Sequence, residues 1–443
     1  MGDSSAVPQS PRRRKGPTGK RLWLFRGILL IALIPVLELI SWVGLRLQNA
    51  GVTFERLHQL QEGLAYSATD SEDRPEVVHP YMGWILNPQS HAEVEVGDHP
   101  EPINAMGFAD DGPTLRKRSP KHFLLGITGG SVAQQFSFRG AEALKRRLSQ
   151  SIRFHDVNVE IVRLAFAGFK QPQQLMTLNY LLSLGGELDA LVNIDGFNEV
   201  TLPACENQDD VFAAYPRMWN TLTLNLVDPR LSSESYRLLE LRALRQESAR
   251  AILDSPLRFS PTRQLLWQIR DAYLNRKRAA LARDLFEKQK SQGRPFAIAG
   301  PPQLYHGDEQ MYQQLVDIWS NSSRQLNFLC RANRIGYVHV LQPNQYVPDT
   351  KKLGSQERAV AIRDEECYGP RVRAAYPLLI REGQKLRADG VDFHDLTRLF
   401  AAFADPIYVD VCCHYNQKGN DLLAEAVAEA LLANLEHKEP RTQ

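Results

Sequence analysis

Cysteine is scarce in this sequence: Cys205, Cys330, Cys367, Cys412 and Cys413 are the whole supply. Thiols so few and so scattered cannot build a disulfide framework, and they lack the paired spacing of a structural zinc site. One disulfide in an oxidising compartment is compatible with them, and the odd count leaves at least one thiol unpaired within the chain. His79, His99 and His122 show no metal spacing either, so no metal is expected. Walker and Rossmann glycine patterns are missing, and no cofactor is expected. Repeats and low-complexity tracts are missing as well. Charge of one sign is also in short supply. Residues 1–26 hold seven basic residues against Asp3, a net of +6, which leaves −4 for the rest of a chain whose total is +2. A nucleic-acid partner would rest on that short tail alone, and none is expected.

Even the most apolar stretch is interrupted. In RGILLIALIPVLELISWVGLRL an apolar run of eleven residues, Gly27 to Leu37, meets Glu38 and then resumes to Leu45. A hydrocarbon core needs roughly 20 helical residues, so residues 27–45 span it if the bilayer tolerates Glu38 at a cost of a few kcal/mol. Trp23 and Trp42 stand near the two ends as interfacial anchors. The alternatives are a cleaved signal peptide and a buried soluble helix. The long basic n-region, with no small-x-small site soon after the run, argues against the first. A basic flank places residues 1–26 in the cytoplasm as a tail and the rest outside it, in the periplasm of a Gram-negative cell. The lipid bilayer is therefore an expected partner.

With 43% apolar and 23% charged residues, the remainder has the composition of a globular protein. Residues 46–120 read as an irregular approach, rich in Pro, Gly, His and Asp, with HPYMGWILNP as its aromatic knot. From 121 to 435 strand and helix patterns alternate. HFLLGITGGS holds a strand over Phe123–Thr128, VNVEIVRLAFAG a second reaching Gly168, and LDALVNIDGFNEV a third over Leu188–Ile194. IGYVHVLQPNQY is a fourth and IYVDV a fifth. Helical patterns fall at 139–149, 171–184, 309–333, 370–388 and 418–433. Buried strands separated by helices predict an α/β fold: a mostly parallel sheet covered on both faces. Residues 205–308 break the alternation with long charged helical segments and read as a helical insertion.

Ligands of open α/β sheets bind beyond the carboxyl ends of the strands. Ser131 follows GITGG, Gly168 follows LAFA and Asn198 follows DGF, while His414 lies in the loop after IYVDV. A serine becomes a nucleophile when a base within about 3 Å takes its proton, and His414 suits that task. The N–H groups of Ser131 and Gly168 with the Asn198 amide make a three-donor oxyanion hole. A serine after two glycines is also a common helix cap, and only the recurrence of these residues at one sheet edge favours chemistry. His394 and Asp395 precede a helical pattern in which Asp395 reads as an N-cap. HVLQPNQY borders the same edge.

These blocks resemble the SGNH superfamily of hydrolases, the GDSL-type esterases and lipases. GITGGSVA is similar to the first block, with Ser131 at the nucleophile and Gly130 where the family has aspartate. LAFAGFKQPQQ resembles the second and supplies Gly168. GFNE resembles the third, usually GxND, matching Gly196 and Asn198 and carrying Glu199 in place of the aspartate. DVCCHYNQKGN resembles the last, usually DxxH, and supplies His414. The likeness covers about 120–200 and 335–435. It implies a three-layer α/β/α sandwich, flavodoxin-like, and acyl-ester chemistry. His414 is then the general base, and Asp410 the carboxylate that fixes its tautomer. Asp410 stands four residues before the histidine rather than three, so the loop must absorb one residue. Otherwise Asp405 or a backbone carbonyl orients the ring. The adjacent cysteines are candidates to pair with Cys367, and a Cys412 or Cys413 nucleophile is a minor rival.

The expected activity is that of a membrane-anchored serine esterase acting on an ester-bearing small molecule or an O-acetylated envelope glycan. Its alternatives are an O-acyltransferase acting on such a glycan, and a non-catalytic binding module on the hydrolase fold.

Overall fold

A computed structural model describes residues 19–48, 52–65, 76–89, 94–96, 99–207, 211–223, 232–292, 296–303, 305–363 and 366–436. Most of the basic tail, residues 1–18, lies outside them. The strands are β1 Glu76–His79, β2 Gly83–Leu86, β3 Val94–Val96, β4 His99–Glu101, β5 His122–Gly129, β6 Asn158–Arg163, β7 Ala190–Asp195, β8 Gly336–Leu341 and β9 Phe393–Asp395. The first five helices are α1 Gly19–Gln48, α2 Phe54–Ala65, α3 Ser131–Arg139, α4 Ala141–Ser149 and α5 Gln173–Ser183. After them come α6 Phe197–Cys205, α7 Trp219–Leu222, α8 Ser232–Leu253, α9 Pro261–Gln292 and α10 Phe296–Ala299. The last four are α11 Gly307–Ala332, α12 Ser355–Ala361, α13 Tyr368–Ala388 and α14 Gln417–Glu436.

The chain divides into two compact units, 1–69 with 230–288, and 70–229 with 289–443. The larger is a mixed α/β unit built on one five-stranded sheet in the order β6-β5-β7-β8-β9, parallel at every pairing. All residues of β7 and β8 are buried, as central strands must be when helices cover both faces. Helices α3, α4 and α14 pack together over one face, α5, α6, α11 and α13 over the other. α11 buries Met311, Leu315, Trp319, Leu326 and Cys330 at spacings of four and seven, which keep one helical stripe on the sheet. Counting from β5, the strand order is 2-1-3-4-5, so the direction of progression reverses between β5 and β7. That switch point opens a crevice at the carboxyl ends.

The fifth strand is not where the sequence suggested. It is the three-residue β9, FHD, while Ile407 and Tyr408 give their backbone N–H groups to the Glu357 carboxylate. Asp395 closes a turn by accepting from the Thr397 N–H, rather than capping a helix. The approach segment also has structure of its own: α2 and two antiparallel hairpins, β1–β2 and β3–β4. Trp84 of β2 is buried, 5.0 Å from the Phe169 ring and 5.7 Å from Phe166, so the aromatic knot supports the loop after β6.

The smaller unit is helical. It joins α1 and α2 to α8 and the greater part of α9, around clusters such as Ala65, Ala249, Ile252 and Trp267. Within α1, residues Trp23–Leu47 are long and apolar enough to cross a membrane.

Candidate active site

β5 ends in two glycines with separate reasons to be glycine. Gly129 has φ +144°, and a Cβ there would stand 2.0 Å from the Ile194 carbonyl oxygen. Gly130 has an ordinary φ, but a Cβ would stand 2.2 Å from the Asn198 side-chain nitrogen. The missing side chain is what lets the Asn198 amide lie against the turn. Ser131 then opens α3, so strand, tight turn and helix present its hydroxyl at the crevice beside the helix N-terminus, where unpaired N–H groups favour negative charge.

Ser131 Oγ lies 2.7 Å from His414 Nε2. The other ring nitrogen, Nδ1, bonds to Asp410 Oδ2. All three residues are half-buried. The extra residue between Asp410 and His414 is absorbed by a bend over 410–413, closed by an antiparallel bridge between Tyr408 and Tyr415 and by the Val409 N–H donating to the His414 carbonyl. Inside the bend, Asp410 Oδ1 accepts the N–H groups of Cys412 (3.0 Å), Cys413 (3.1 Å) and His414 (3.3 Å). On its outside, the carbonyls of Asp410, Val411 and Cys412 accept from Gln345, Tyr346 and Asn344. HVLQPNQY therefore braces the histidine turn. Burial pushes the Asp410 carboxyl up, yet the His414 bond and charge together with the turn's N–H groups leave it below the usual carboxylate value. Asp405 pairs with Lys418 instead of the histidine.

Asn198, second in α6, donates one amide hydrogen to the Phe169 carbonyl at 2.7 Å, which fixes the amide and leaves its second N–H for a ligand. Gly168 sits at φ +88° in the loop after β6, and a Cβ there would stand 2.0 Å from Arg217 Nε. Arg217 lies between Glu76 (3.1 Å) and Glu206 (3.8 Å), with its guanidinium 5.5 Å from the Trp84 ring centre. Glu199 ties the two loops together, accepting from Gly196 N–H (2.8 Å), Gln171 N–H (3.0 Å) and the Gln174 amide (3.2 Å). Burial and the neighbouring Asp195 charge push it up to about 8. Beside it Lys170, fully buried, donates to the Ala213 carbonyl, and burial pulls it down to about 7. Neither role was legible in the sequence, because both depend on which loops meet.

A second Ser–His–Asp chain lies under the sheet edge. Ser323 Oγ is 2.7 Å from His339 Nδ1, and His339 Nε2 is 2.8 Å from Asp195 Oδ1, which also accepts from Trp319 Nε1. Burial pushes Asp195 up, but His339, Trp319 and Asn193 more than offset it. The order of residues is that of a catalytic triad, but the ring nitrogens are reversed, with serine on Nδ1 and aspartate on Nε2, and groups drawn from α11, β8 and β7 make it a natural brace. Ser323 and His339 have no exposed surface and Asp195 almost none. Ser131, His414 and Asp410 are half-buried, whereas this second chain is sealed from solvent. The protein thus carries Ser–His–Asp geometry consistent with a serine hydrolase.

The cysteines take different places from those suggested. Cys367 bonds to Cys205, joining the start of α13 to the end of α6, and leaves the vicinal pair free. Cys412 and Cys413 hold their sulfurs 3.1 Å apart. Burial first, then the neighbouring thiol, pushes Cys413 far up, which makes it a poor nucleophile. Cys412, Cys413 and His414 also cluster closely enough for a metal. Both ring nitrogens of His414, however, are engaged, by Ser131 and Asp410. Compared with known protein families, the chain matches none, and no curated protein matches it.

Proposed function

We propose that this protein is a serine esterase of the SGNH type, anchored by α1 with its α/β unit on the extracytoplasmic side. The observation that carries the reading is the hydrogen-bonded series from Ser131 Oγ through His414 to Asp410, open at the carboxyl edge of a parallel sheet. In this mechanism Ser131 Oγ attacks the ester carbonyl as His414 Nε2 takes its proton. Asp410 holds the Nδ1–H tautomer and stabilises the imidazolium. The N–H groups of Ser131 and Gly168 and the free amide hydrogen of Asn198 receive the developing oxyanion. His414 returns the proton to the leaving alcohol, and water, deprotonated by the same nitrogen, releases the acid. The Cys205–Cys367 bond supports an oxidising compartment, since such bonds persist there.

Short-chain aryl esters test the reading. Wild-type protein should hydrolyse them, and Ser131→Ala, which removes the attacking oxygen and little volume, should lose several orders of magnitude in kcat while keeping its melting temperature. Unchanged turnover by folded Ser131→Ala protein would refute the assignment.

A further inference from the structure

Glu38 is the one carboxylate between Trp23 and Leu47, and its position has a structural counterpart in the helical unit. Its Oε1 accepts from Ser260 Oγ at 2.7 Å and its Oε2 from the Thr262 N–H at 3.0 Å. The carboxylate therefore caps the N-terminus of α9, where unpaired N–H groups and the helix dipole favour negative charge. Further along both helices, Gly44 faces Leu265, whose Cδ2 stands 3.2 Å from where a Cβ would be. α9 thus leaves Glu38 and runs beside α1 in the same direction. The turn between α8 and α9, residues 254–260, is the end of that hairpin lying at the Glu38 level.

That level lies within the apolar helix. Glu38 precedes Leu47 by nine residues, about 13 Å of helix rise. The turn carries Leu257, 59% exposed, and Phe259, 55% exposed. Above them on α9, Leu266, Ile269 and Tyr273 are exposed at helical spacing and form one stripe. Trp42 of α1 stacks on Phe54 at 5.2 Å, and Phe54 meets Phe259 edge-on at 6.1 Å, which continues the apolar surface from α1 onto the turn. Apart from Arg263 in its first turn, the charges on α9 gather further up, at Arg270, Asp271, Arg276, Lys277 and Arg278, eight or more residues beyond Thr262 and so near the Leu47 level. At the tip itself Arg258 lies over the Phe259 ring, its stem long enough to carry the guanidinium toward headgroups.

We infer that the α8–α9 turn is a second membrane contact: Leu257, Phe259, Leu266 and Ile269 rest among the acyl chains of the leaflet at the C-terminal end of α1. Tyr273 and the basic residues above it then meet the lipid phosphates, and Glu38 sets the depth of the turn by holding the start of α9. The occupant is lipid rather than protein because the apolar surface is continuous with the span of α1. The same charge pattern, apolar below and basic above, fits a bilayer interface. A carboxylate in the span is then explained by the helix end it caps. The inference rests on α1 crossing the bilayer.

The test uses the full chain in phosphatidylethanolamine/phosphatidylglycerol vesicles, with a photo-crosslinking amino acid placed singly at Leu257, Phe259, Leu33 of α1, or Ile152 of the α/β unit. Lipid adducts at 257 and 259 should match those at 33 and exceed those at 152 by about tenfold or more, as for side chains seated in the acyl region. Adducts at 33 without adducts at 257 and 259 would overturn the inference and leave the span of α1 intact. No adducts at 33 would remove the span, and the inference with it.

Discussion

Asp410 does two separate jobs with its two oxygens, one closing the 410–413 bend and one holding the His414 ring. Asp410→Asn keeps an acceptor for the bend but puts a donor or a neutral oxygen against Nδ1. It should lower kcat by roughly 10³–10⁴-fold, as tautomer errors do in other triads, with a much smaller loss of stability. Because the folded carboxyl lies below the usual value of 3.8, it contributes stability above that pH and loses it as pH falls through the lower folded value. The stability gap between wild type and Asp410→Asn should therefore close in that acid window and stay open at neutral pH, which denaturation across a pH series would read. Gly130 gives a second check. A Cβ there would displace the Asn198 amide, so Gly130→Ala should cost activity like the loss of one oxyanion donor, about 10²–10³-fold in kcat. Unaltered kcat would show that Asn198 does not serve the oxyanion. Ser131, Gly168 and Asn198 were legible because each follows a strand in sequence, whereas His414 follows IYVDV, which is a loop in the fold. Glu199, Lys170 and the Asn344–Tyr346 brace were not, since their partners come from loops far away in the chain.

The elements that were easiest to read are those whose burial is uniform. β7 and β8 are buried at every position and stand out as apolar runs. β9 does not, because it has three residues and a histidine and an aspartate among them. IYVDV looked like a strand because β-branched and aromatic residues favour extended backbone. In the fold its first two N–H groups go to Glu357, and Tyr408 packs on Phe400 and Tyr415, so the same preferences serve a loop. The disulfide between α6 and α13 was beyond sequence reasoning, for two scattered cysteines say nothing of which helix ends meet. It spans 162 residues, and closing so long a loop stabilises by roughly 2–5 kcal/mol. Replacing Cys205 and Cys367 together by alanine should lower the midpoint of chemical denaturation accordingly. α6 carries Asn198 as its second residue and Cys205 as its last, so catalysis by the folded fraction should persist. A double variant as stable as the wild type would mean the bond adds nothing to the fold.

At the scale of the whole chain, a basic segment, a membrane-length helix and an α/β unit with an open Ser–His–Asp series are the parts that the proposed tethered hydrolase requires. The basic flank of α1 predicts that a reporter active only in the cytoplasm gives no signal when fused after Gln443. Strong reporter activity would reverse the orientation. The residues between 205 and 308 were read as one insertion; among them α8 and most of α9 cluster with α1 and α2, while 211–223 and 296–303 cluster with the sheet. Charged helical composition marks such a block but carries no record of what it packs against. The central claim is that Ser131, and not the sealed Ser323, is the reactive hydroxyl. A fluorophosphonate probe followed by peptide mapping decides it directly. The account predicts a phosphonyl adduct on the peptide containing Ser131, lost in His414→Ala protein that remains folded, with none on Ser323. A folded protein that carries no adduct at Ser131, or one labelled at Ser323 instead, would contradict it.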